Sequence, residues 1–289
     1  MSKKMLGSNN QPRNKIEFLL SDVDGSLTTP DHQVTARAHR ALSMLRKQGV
    51  QFSIVSGRPP LGLRKLISEL ALTLPLAAFD GGMIIRPDLS VIEEYRLDRK
   101  TAASVIATLR ANGVDVWLYR GTEWFIQNRA AAHVSHETGN VGFDPIQVSV
   151  LDPSQGAVKI VAVSDDPDLL ARCERDIRGV FSSQVSADLS QPYYLDITHP
   201  KANKGEVVRS LSQLLAIPTD RFVTLGDMPN DISMFKVSGL SIAMGNSTLD
   251  VNGAADYETK RNDDEGFAYA VDSIIFPLIQ KNLELRSSA

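Results

Sequence analysis

The first eighty residues alternate between short apolar runs and amphipathic segments, and this alternation most restricts the possible folds. Three apolar runs are typical of buried strands, at residues 16–20, 50–55 and 74–79. Between them, apolar residues recur at helical spacing, first after Thr35, a good N-cap residue, and then after the Pro59–Pro60 pair. A strand, helix, strand, helix, strand order predicts a parallel sheet with right-handed crossovers.

The middle of the chain has another pattern. Residues 83–95 read as a hairpin and residues 99–111 as a helix. Further strands are predicted at residues 114–119, 124–127 and 158–163, with a closing antiparallel pair at 180–187 and 193–197. The alternation then returns, with a helix over residues 204–215 and strands over 221–225 and 240–244.

The fold class predicted from these patterns is α/β, a Rossmann-like parallel-sheet core with an inserted α+β domain. The core would comprise residues 15–85 and 198–289, and the insert residues 86–197. Residues 1–14 are polar and are predicted to be a disordered lead.

Composition and charge exclude several classes of protein. A net charge of -3, with no Lys/Arg-rich run, argues against a nucleic-acid partner. No apolar run has transmembrane length, so no membrane partner is expected. The single cysteine, Cys173, excludes an intramolecular disulfide and is predicted to be a packing residue. With no apolar signal-peptide region at the N-terminus, these features predict a cytoplasmic protein.

Two carboxylates, Asp22 and Asp24, directly follow the first predicted strand. Residues at i and i+2 leave a strand on the same face, and open α/β sheets bind ligands at the carboxyl ends of their strands. One carboxylate can attack while its neighbour moves protons, and both can face a metal. This pair therefore predicts phosphoryl transfer through an aspartyl-phosphate.

Two other motifs could bind an anion. Ser56-Gly57-Arg58 follows the second strand, where a hydroxyl and a glycine amide ahead of a helix favour phosphate. The alternative is an ordinary turn with a capping serine.

Lys204 begins a predicted helix, a position that the helix dipole disfavours for a cation. We therefore expect Lys204 to pair with phosphate and carboxylates. The alternative is a solvated surface lysine.

A fourth motif, Gly226-Asp227-Met228-Pro229-Asn230-Asp231, lies where a strand passes into a helix. Its carboxylates Asp227 and Asp231 are at i and i+4. Mg²⁺ prefers oxygen ligands, usually a few carboxylates with water and substrate phosphate. The alternative is an acidic helix N-cap. Three of the four motifs follow strands of one predicted sheet, so we expect their side chains to converge at one edge.

In order, spacing and residue type, the four motifs resemble those of the haloacid dehalogenase (HAD) superfamily of phosphatases. The resemblance covers nearly the whole chain after about residue 15. Two later segments resemble the Cof-like branch, subfamily IIB: Ala243-Met244-Gly245-Asn246 and Asn262-Asp263-Asp264-Glu265-Gly266. The resemblance implies a HAD core, with the inserted domain as a cap that closes over the site.

The resemblance also implies catalytic roles. Asp22 would be the nucleophile, and Asp24 the acid that protonates the leaving alcohol and the base that then deprotonates water. Ser56, Gly57 and Arg58 would bind the phosphoryl oxygens, Lys204 would neutralise charge, and Asn230 would contact the phosphoryl group. Mg²⁺ would be held by Asp22, the Asp24 carbonyl and Asp227, supported by Asp231.

The implied activity is Mg²⁺-dependent hydrolysis of small organic phosphate monoesters, most commonly sugar phosphates. Alternatives are a phosphosugar mutase or other phosphotransferase, and a non-catalytic protein that binds a phosphorylated ligand. Neither the physiological substrate nor the oligomeric state follows from the sequence.

Several residues depart from the family pattern or suggest other sites. Ser26 stands where threonine is more frequent, and Asp80 stands in a loop that usually carries asparagine. Asp80 would alter leaving-group preference or simply stabilise a turn. His133 and His136 are at i and i+3 and do not form the H-E-x-x-H zinc motif. Tyr193 and Tyr194 are predicted to be packing residues.

Overall fold

The computed structural model describes residues 15–287, with side chains for residues 15–281. The predicted disordered lead, residues 1–14, lies outside the described residues. The chain divides into two compact units: unit 1 runs up to Ile54 and resumes at Val208, and unit 2 spans Val55–Val207. The limits of the inserted domain that we expect from the sequence, 86 and 197, remain a prediction.

In chain order, the helices and strands are β1 (Phe18–Asp22), α1 (Ala36–Lys47), β2 (Gln51–Val55), α2 (Arg64–Glu69), β3 (Leu76–Ala78), β4 (Met83–Ile85), β5 (Val91–Glu94), α3 (Arg99–Ala111), β6 (Asp115–Arg120), β7 (Glu123–Ile126), α4 (Val134–Val141), β8 (Ile146–Gln147), β9 (Lys159–Val163), α5 (Pro167–Phe181), β10 (Ser186–Gln191), β11 (Tyr194–Thr198), α6 (Lys204–Leu215), β12 (Phe222–Gly226), α7 (Ile232–Phe235), β13 (Leu240–Ala243), α8 (Leu249–Ala254), β14 (Tyr257–Glu258), α9 (Gly266–Ala270) and α10 (Phe276–Ser287).

Unit 1 is built on strands in the order β14-β13-β12-β1-β2. β1 pairs with β12, β12 with β13 and β13 with β14, all in parallel, which confirms the predicted parallel sheet for these strands. Every residue of β1, β12 and β13 is buried. Ser21 is opposite Leu225, so the carboxyl ends of β1 and β12 are adjacent.

The helix predicted after Thr35 is α1, and its start is fixed locally. The Thr35 hydroxyl accepts the Ala38 N–H at 3.0 Å, which satisfies one of the free amides of the first turn. The apolar side chains that recur at helical spacing are all buried: Ala38, Ala41, Leu42 and Leu45. Burial of this face, rather than propensity alone, stabilises the helix.

Unit 2 contains the antiparallel ladder β3-β4-β5 and a six-stranded sheet in the order β10-β11-β9-β6-β7-β8. Residues alternate between the faces of this sheet. Val116 and Leu118 belong to an apolar core that also contains buried side chains of α3 and α5. Trp117 and Tyr119, the alternate residues of β6, are buried on the other face. The α+β character predicted for this region is confirmed.

Cys173 is part of the same apolar core. Burial raises the pKa of its thiol, so the prediction of an inert packing residue agrees with its environment.

One sequence-based prediction of secondary structure in unit 2 needs correction, and one helix there was not predicted. The predicted closing antiparallel pair is present as β10 and β11, but the predicted start of its first strand at residue 180 is wrong, because α5 continues through Phe181 and β10 begins at Ser186. Phe181 is buried with the other inward positions of α5, so the apolar pair at residues 180–181 extends a helix. The helix α4 was not predicted, since only its terminal residues Val134 and Val141 are buried and it has no apolar periodicity.

No helix among the described residues is both long enough and apolar enough to span a membrane.

Candidate active site

Three carboxylates gather at the carboxyl ends of β1 and β12 in unit 1. They belong to Asp22, Asp227 and Asp231, and one oxygen from each lies within 4.8 Å of the others. All three residues are buried: Asp22 and Asp227 are each 6% exposed, and Asp231 is 0% exposed. Because β1 and β12 are parallel neighbours, residues that follow the two strands meet at one edge of the sheet. The structure therefore brings together three of the four predicted metal ligands.

Asp231 fixes the loop that follows β12. Its Oδ2 accepts the backbone N–H groups of Asp227 and Met228, each at 2.8 Å. These bonds compensate a fully buried carboxylate, which is otherwise expensive to remove from water. Asp231 makes no side-chain hydrogen bond as the N-cap of α7, so the acidic N-cap that we considered as an alternative is not present; its carboxyl group binds preceding amides and also belongs to the cluster.

Asp227 is held from two directions. Its Oδ1 accepts the Ser26 hydroxyl at 2.9 Å, and its Oδ2 accepts the Asn246 side-chain amide at 3.1 Å. The Asn246 amide also donates to the Gly25 carbonyl at 2.9 Å. We did not identify Ser26 or Asn246 as candidate site residues, although both lie in segments that carry the family resemblance.

Gly25 is required at this position for two reasons. Its φ of +82° lies in the left-handed region, and a Cβ there would be 2.3 Å from Asp227 Oδ2. Any side chain at position 25 would displace the carboxylate that Ser26 and Asn246 hold in place.

Two predicted residues of unit 1 lie outside the cluster. The Asp24 side chain is partly exposed, and its Oδ1 is 3.0 Å from Nδ1 of His32. Its predicted metal contact is through the main-chain carbonyl, and proton transfer is the role predicted for its side chain. Asn230 is exposed, and its carbonyl accepts the Ser233 hydroxyl at 2.8 Å.

The donor set of the cluster suits a hard divalent cation. Three carboxylates, with no thiolate or imidazole among them, match the oxygen ligands preferred by Mg²⁺ and Ca²⁺. Because the three groups are buried and mutually repulsive, a cation between them would also offset their charge. The cluster could therefore hold a metal ion.

The second group of predicted residues lies in unit 2, around the loop after β2. Ser56 is buried, and its Oγ accepts the Arg58 N–H at 3.1 Å. The Asp80 N–H donates to the Ser56 carbonyl at 2.8 Å, and the Phe79 N–H donates to the Arg58 carbonyl at 3.0 Å. The loops after β2 and β3 are therefore fixed to each other. The capping turn and the anion site remain compatible, since the Ser56 hydroxyl can still donate its proton.

Gly57 lies between Ser56 and Arg58, whose carbonyls accept the N–H groups of the loop after β3. A Cβ on Gly57 would be 2.9 Å from Asp80 Oδ2. The absence of a side chain thus lets the Asp80 carboxylate lie against the main chain of the loop.

Lys204 is 2% exposed at the first residue of α6, so the alternative of a solvated surface lysine is wrong. Its Nζ is 3.5 Å from Asp80 Oδ1. Asp80 adopts φ 56° and ψ 24° within a turn over Phe79–Gly81. The turn that we considered for Asp80 is present, and the same residue places its carboxylate beside a buried lysine.

The histidines His133 and His136 contact neighbouring side chains: His136 is exposed, with its Nε2 3.1 Å from Nδ2 of Asn140. His133 Nε2 is 2.7 Å from Asp165 Oδ1, and the ring stacks on Tyr193 with 4.1 Å between centroids. Tyr194 is buried against Trp117, as predicted. Among the described residues, the carboxylate cluster of unit 1 is the only group of acidic, histidine or cysteine side chains that meets the geometry of a metal site.

A further set of charged groups lies on the face of the six-stranded sheet opposite α3 and α5. The sequence analysis did not predict this set. Lys159 Nζ is 2.6 Å from Asp196 Oδ2, and the Tyr119 hydroxyl donates to Glu137 Oε1 at 3.3 Å. Burial raises the pKa values of Glu137 and Asp196. Burial alone would lower the pKa of Lys159, but the nearby Asp196 carboxylate raises it.

Comparison with known proteins gives a consistent result. A family model described as haloacid dehalogenase-like hydrolase matches residues 19–271. The HMP-PP phosphatase of Cronobacter sakazakii is 26% identical over 227 residues, which cover 78% of this chain and 83% of the relative.

Solved structures agree with this match. A haloacid dehalogenase-like hydrolase from Bacteroides thetaiotaomicron superposes with a TM-score of 0.82 at 25% identity, covering 90% of this chain and all of the other. The subclass IIB sugar phosphatase BT4131 superposes with a TM-score of 0.77 at 19% identity, covering 91% of this chain and all of the other. At 19% identity, the likeness to BT4131 shows only that the two proteins share a fold.

Proposed function

The chain belongs to the haloacid dehalogenase-like hydrolase family, and on this premise we propose that it is a Mg²⁺-dependent phosphatase of small organic phosphate monoesters. The observation that carries the proposal is the buried cluster of Asp22, Asp227 and Asp231 at the ends of two parallel strands. Three converging carboxylates are costly for stability alone, and they suit a reaction that needs a cation beside a nucleophilic carboxylate.

Asp22, Asp227 and Asp231, with the main-chain carbonyl of Asp24, would hold the Mg²⁺ ion. Bound Mg²⁺ would offset the negative charge of the phosphoryl oxygens, so that an anionic nucleophile can approach them. Ser26 and Asn246 orient Asp227 through their hydrogen bonds, and Asp231 fixes the loop through two backbone amides.

In the first half of the reaction, a carboxylate oxygen of Asp22 forms a bond to phosphorus while the bond from phosphorus to the ester oxygen breaks. The leaving oxygen takes its electron pair and receives a proton from the Asp24 carboxyl group. In the second half, the Asp24 carboxylate removes a proton from water, and the hydroxyl oxygen attacks the phosphoaspartate. Inorganic phosphate leaves, and Asp22 and Asp24 return to their starting forms.

The residues of unit 2 would bind the phosphoryl group. The Ser56 hydroxyl and the Gly57 and Arg58 amides are donors of the kind that phosphate oxygens accept. Lys204 would supply a positive charge, and its burial would strengthen that charge's effect. The side-chain amide of Asn230 is a further proposed donor.

Sugar phosphates are the substrate class that we propose. A sugar would depart as an aliphatic alkoxide, which is a poor leaving group, so its hydrolysis would depend on a general acid such as Asp24. The relative from Cronobacter sakazakii is named an HMP-PP phosphatase, which points to another class of phosphate compound. A substrate panel is therefore needed.

The test is phosphate release from sugar phosphates, flavin mononucleotide, pyridoxal phosphate and 4-nitrophenyl phosphate, each with Mg²⁺ and with chelator. Release that requires Mg²⁺ is the expected result, and the ranking of rates names the substrate class. Isomerisation of a sugar phosphate without net release would identify a mutase. Binding of phosphorylated compounds without either reaction would identify a binding protein, and both of these results would overturn the proposal.

A further inference from the structure

His32 contacts the proposed general acid of unit 1. Its Nδ1 is 3.0 Å from Oδ1 of Asp24, a normal hydrogen-bond distance. The side chains of His32 and Asp24 are 51% and 41% exposed, respectively, so both are accessible to a substrate.

The loop that carries His32 holds the ring in an unusual backbone conformation. The His32 N–H donates to the Thr29 carbonyl at 2.9 Å, and the Thr29 N–H donates to the Gln33 carbonyl at 3.0 Å. Within this turn, His32 has φ 55°, in the left-handed region. Glycine or asparagine is the usual residue at such a position because other side chains are strained there.

A glycine would satisfy the turn at lower conformational cost, so the turn itself does not explain a histidine. The contact with Asp24 does explain it. The Asp24 end of the loop is also constrained: Asp24 and Thr28 form a β-bridge, and the Thr28 hydroxyl donates to the Val23 carbonyl at 3.0 Å. Both partners of the His32–Asp24 contact are therefore placed by local backbone geometry.

We propose that His32 is a positioning residue for Asp24: its Nδ1–H donates to Oδ1 and so orients the carboxyl group whose Oδ2 carries the proton for the leaving group. This inference rests on the proposed function, in which Asp24 is the acid. As the bond from phosphorus to the ester oxygen breaks, the Oδ2–H bond breaks and the proton joins the leaving oxygen. The Asp24 carboxylate keeps the electron pair of that bond, and His32 neither gains nor loses a proton.

The test uses leaving-group dependence. The quantity measured is kcat/KM, which reports the steps up to release of the alcohol, for phenyl phosphate and for 4-nitrophenyl phosphate. Phenolate is a poor leaving group that needs a proton, whereas nitrophenolate leaves without one. His32→Gly keeps the left-handed backbone and removes the donor. A hydrogen bond of ordinary strength predicts a loss of about fivefold for phenyl phosphate and less than about twofold for 4-nitrophenyl phosphate.

Two further variants separate positioning from general disturbance of the loop. His32→Asn tolerates positive φ and places an amide donor near the position of Nδ1, so it should restore phenyl phosphate hydrolysis to within about twofold of the wild-type protein. Gln33→Ala changes the exposed residue next to His32 in the same loop. The kcat/KM values for phenyl phosphate and 4-nitrophenyl phosphate should both stay unchanged.

Equal losses on both substrates in His32→Gly would overturn the inference, and so would a His32→Asn variant as slow as His32→Gly. If the wild-type protein hydrolyses the esters, either of these outcomes would leave the proposed function intact. A folded wild-type protein that hydrolyses neither ester would overturn the proposed function and, with it, the role assigned to His32.

Discussion

The buried hydroxyl of Ser26 donates a hydrogen bond to Oδ1 of Asp227 at 2.9 Å, although the two residues are 201 positions apart in the chain. Asn246 donates to the other oxygen of the same carboxylate. Each oxygen of Asp227 thus has a fixed donor, which limits rotation of the carboxylate. Partners of this kind commonly determine how well a ligand residue holds its metal.

Removing the Ser26 hydroxyl should weaken the metal site. We expect Ser26→Ala to raise the Mg²⁺ concentration for half-maximal activity by about tenfold, because Oδ1 of Asp227 loses the Ser26 hydroxyl as a donor. The measurement is a Mg²⁺ titration of phosphate release. Ser26→Thr keeps the hydroxyl and should titrate within about twofold of the wild-type protein. Identical titration curves for Ser26→Ala and Ser26→Thr would show that the hydrogen bond does not contribute to metal binding.

Asp22→Asn should abolish turnover without unfolding the protein. The amide is similar in size to the carboxylate but cannot attack phosphorus, so we expect a loss of about 10³-fold or more in kcat. Phosphate release gives the rate, and circular dichroism gives the folded state. Removing one of three mutually repulsive carboxylates should leave the midpoint of thermal unfolding unchanged or higher. Full activity in a folded variant would show that Asp22 is not the nucleophile.

The elements that were predicted from sequence are those with strong local signals. The limits predicted for α3 and α6 agree with the structure. At the start of α3, the Asp98 side chain accepts the N–H groups of Lys100 and Thr101, an interaction between residues close in sequence. The gathering of Asp22 with Asp227 was also predictable, since both directly follow apolar runs of the kind that pair in parallel sheets.

The interactions that escaped prediction depend on the tertiary fold. The proximity of Ser26 to Asp227 and of His32 to Asp24 depends on turns and distant loops that have no periodic signal. Lys159 and Asp196 are charged residues in strands, and the pattern of alternation alone would place them in solvent. In the folded protein their side chains are only 14% and 13% exposed, which propensity does not encode.

Asp80→Asn should strengthen phosphate binding. Asp80 Oδ1 is 3.5 Å from Lys204 Nζ, so its negative charge opposes an anion that approaches the same lysine. Asparagine tolerates the left-handed conformation of residue 80 and removes this charge. We expect the inhibition constant of inorganic phosphate to fall by about fivefold, a modest Coulombic effect in a partly screened site.

The control for this experiment is Asp168→Asn, which removes an exposed carboxylate at the start of α5 in the same unit. Phosphate inhibition of this variant should match that of the wild-type protein, because solvent screens the charge. An unchanged inhibition constant in Asp80→Asn would mean that the Asp80 carboxylate serves only the turn.

Glu137→Gln should make unit 2 more stable near neutral pH. Burial raises the pKa of Glu137 above its ordinary value of 4.5, so the folded state favours the protonated form. Below that ordinary value, both folded and unfolded chains are protonated and the substitution should be neutral. As the pH rises through the raised pKa, the wild-type protein loses this contribution to stability and the variant does not. The gain at pH 7 should be about 1.4 kcal/mol for each unit by which the pKa is raised.

The measurement is denaturant unfolding at several pH values, followed by tryptophan fluorescence. Both tryptophans of the chain, Trp117 and Trp124, are in unit 2, so the signal reports the unit that contains Glu137. The glutamine carbonyl can still accept the Tyr119 hydroxyl, and the variant therefore tests the charge alone. Glu123→Gln, which changes an exposed glutamate of β7, should alter stability by less than about 0.5 kcal/mol at pH 7. A stability difference between Glu137→Gln and the wild-type protein that is constant from pH 4 to 8 would contradict a raised pKa.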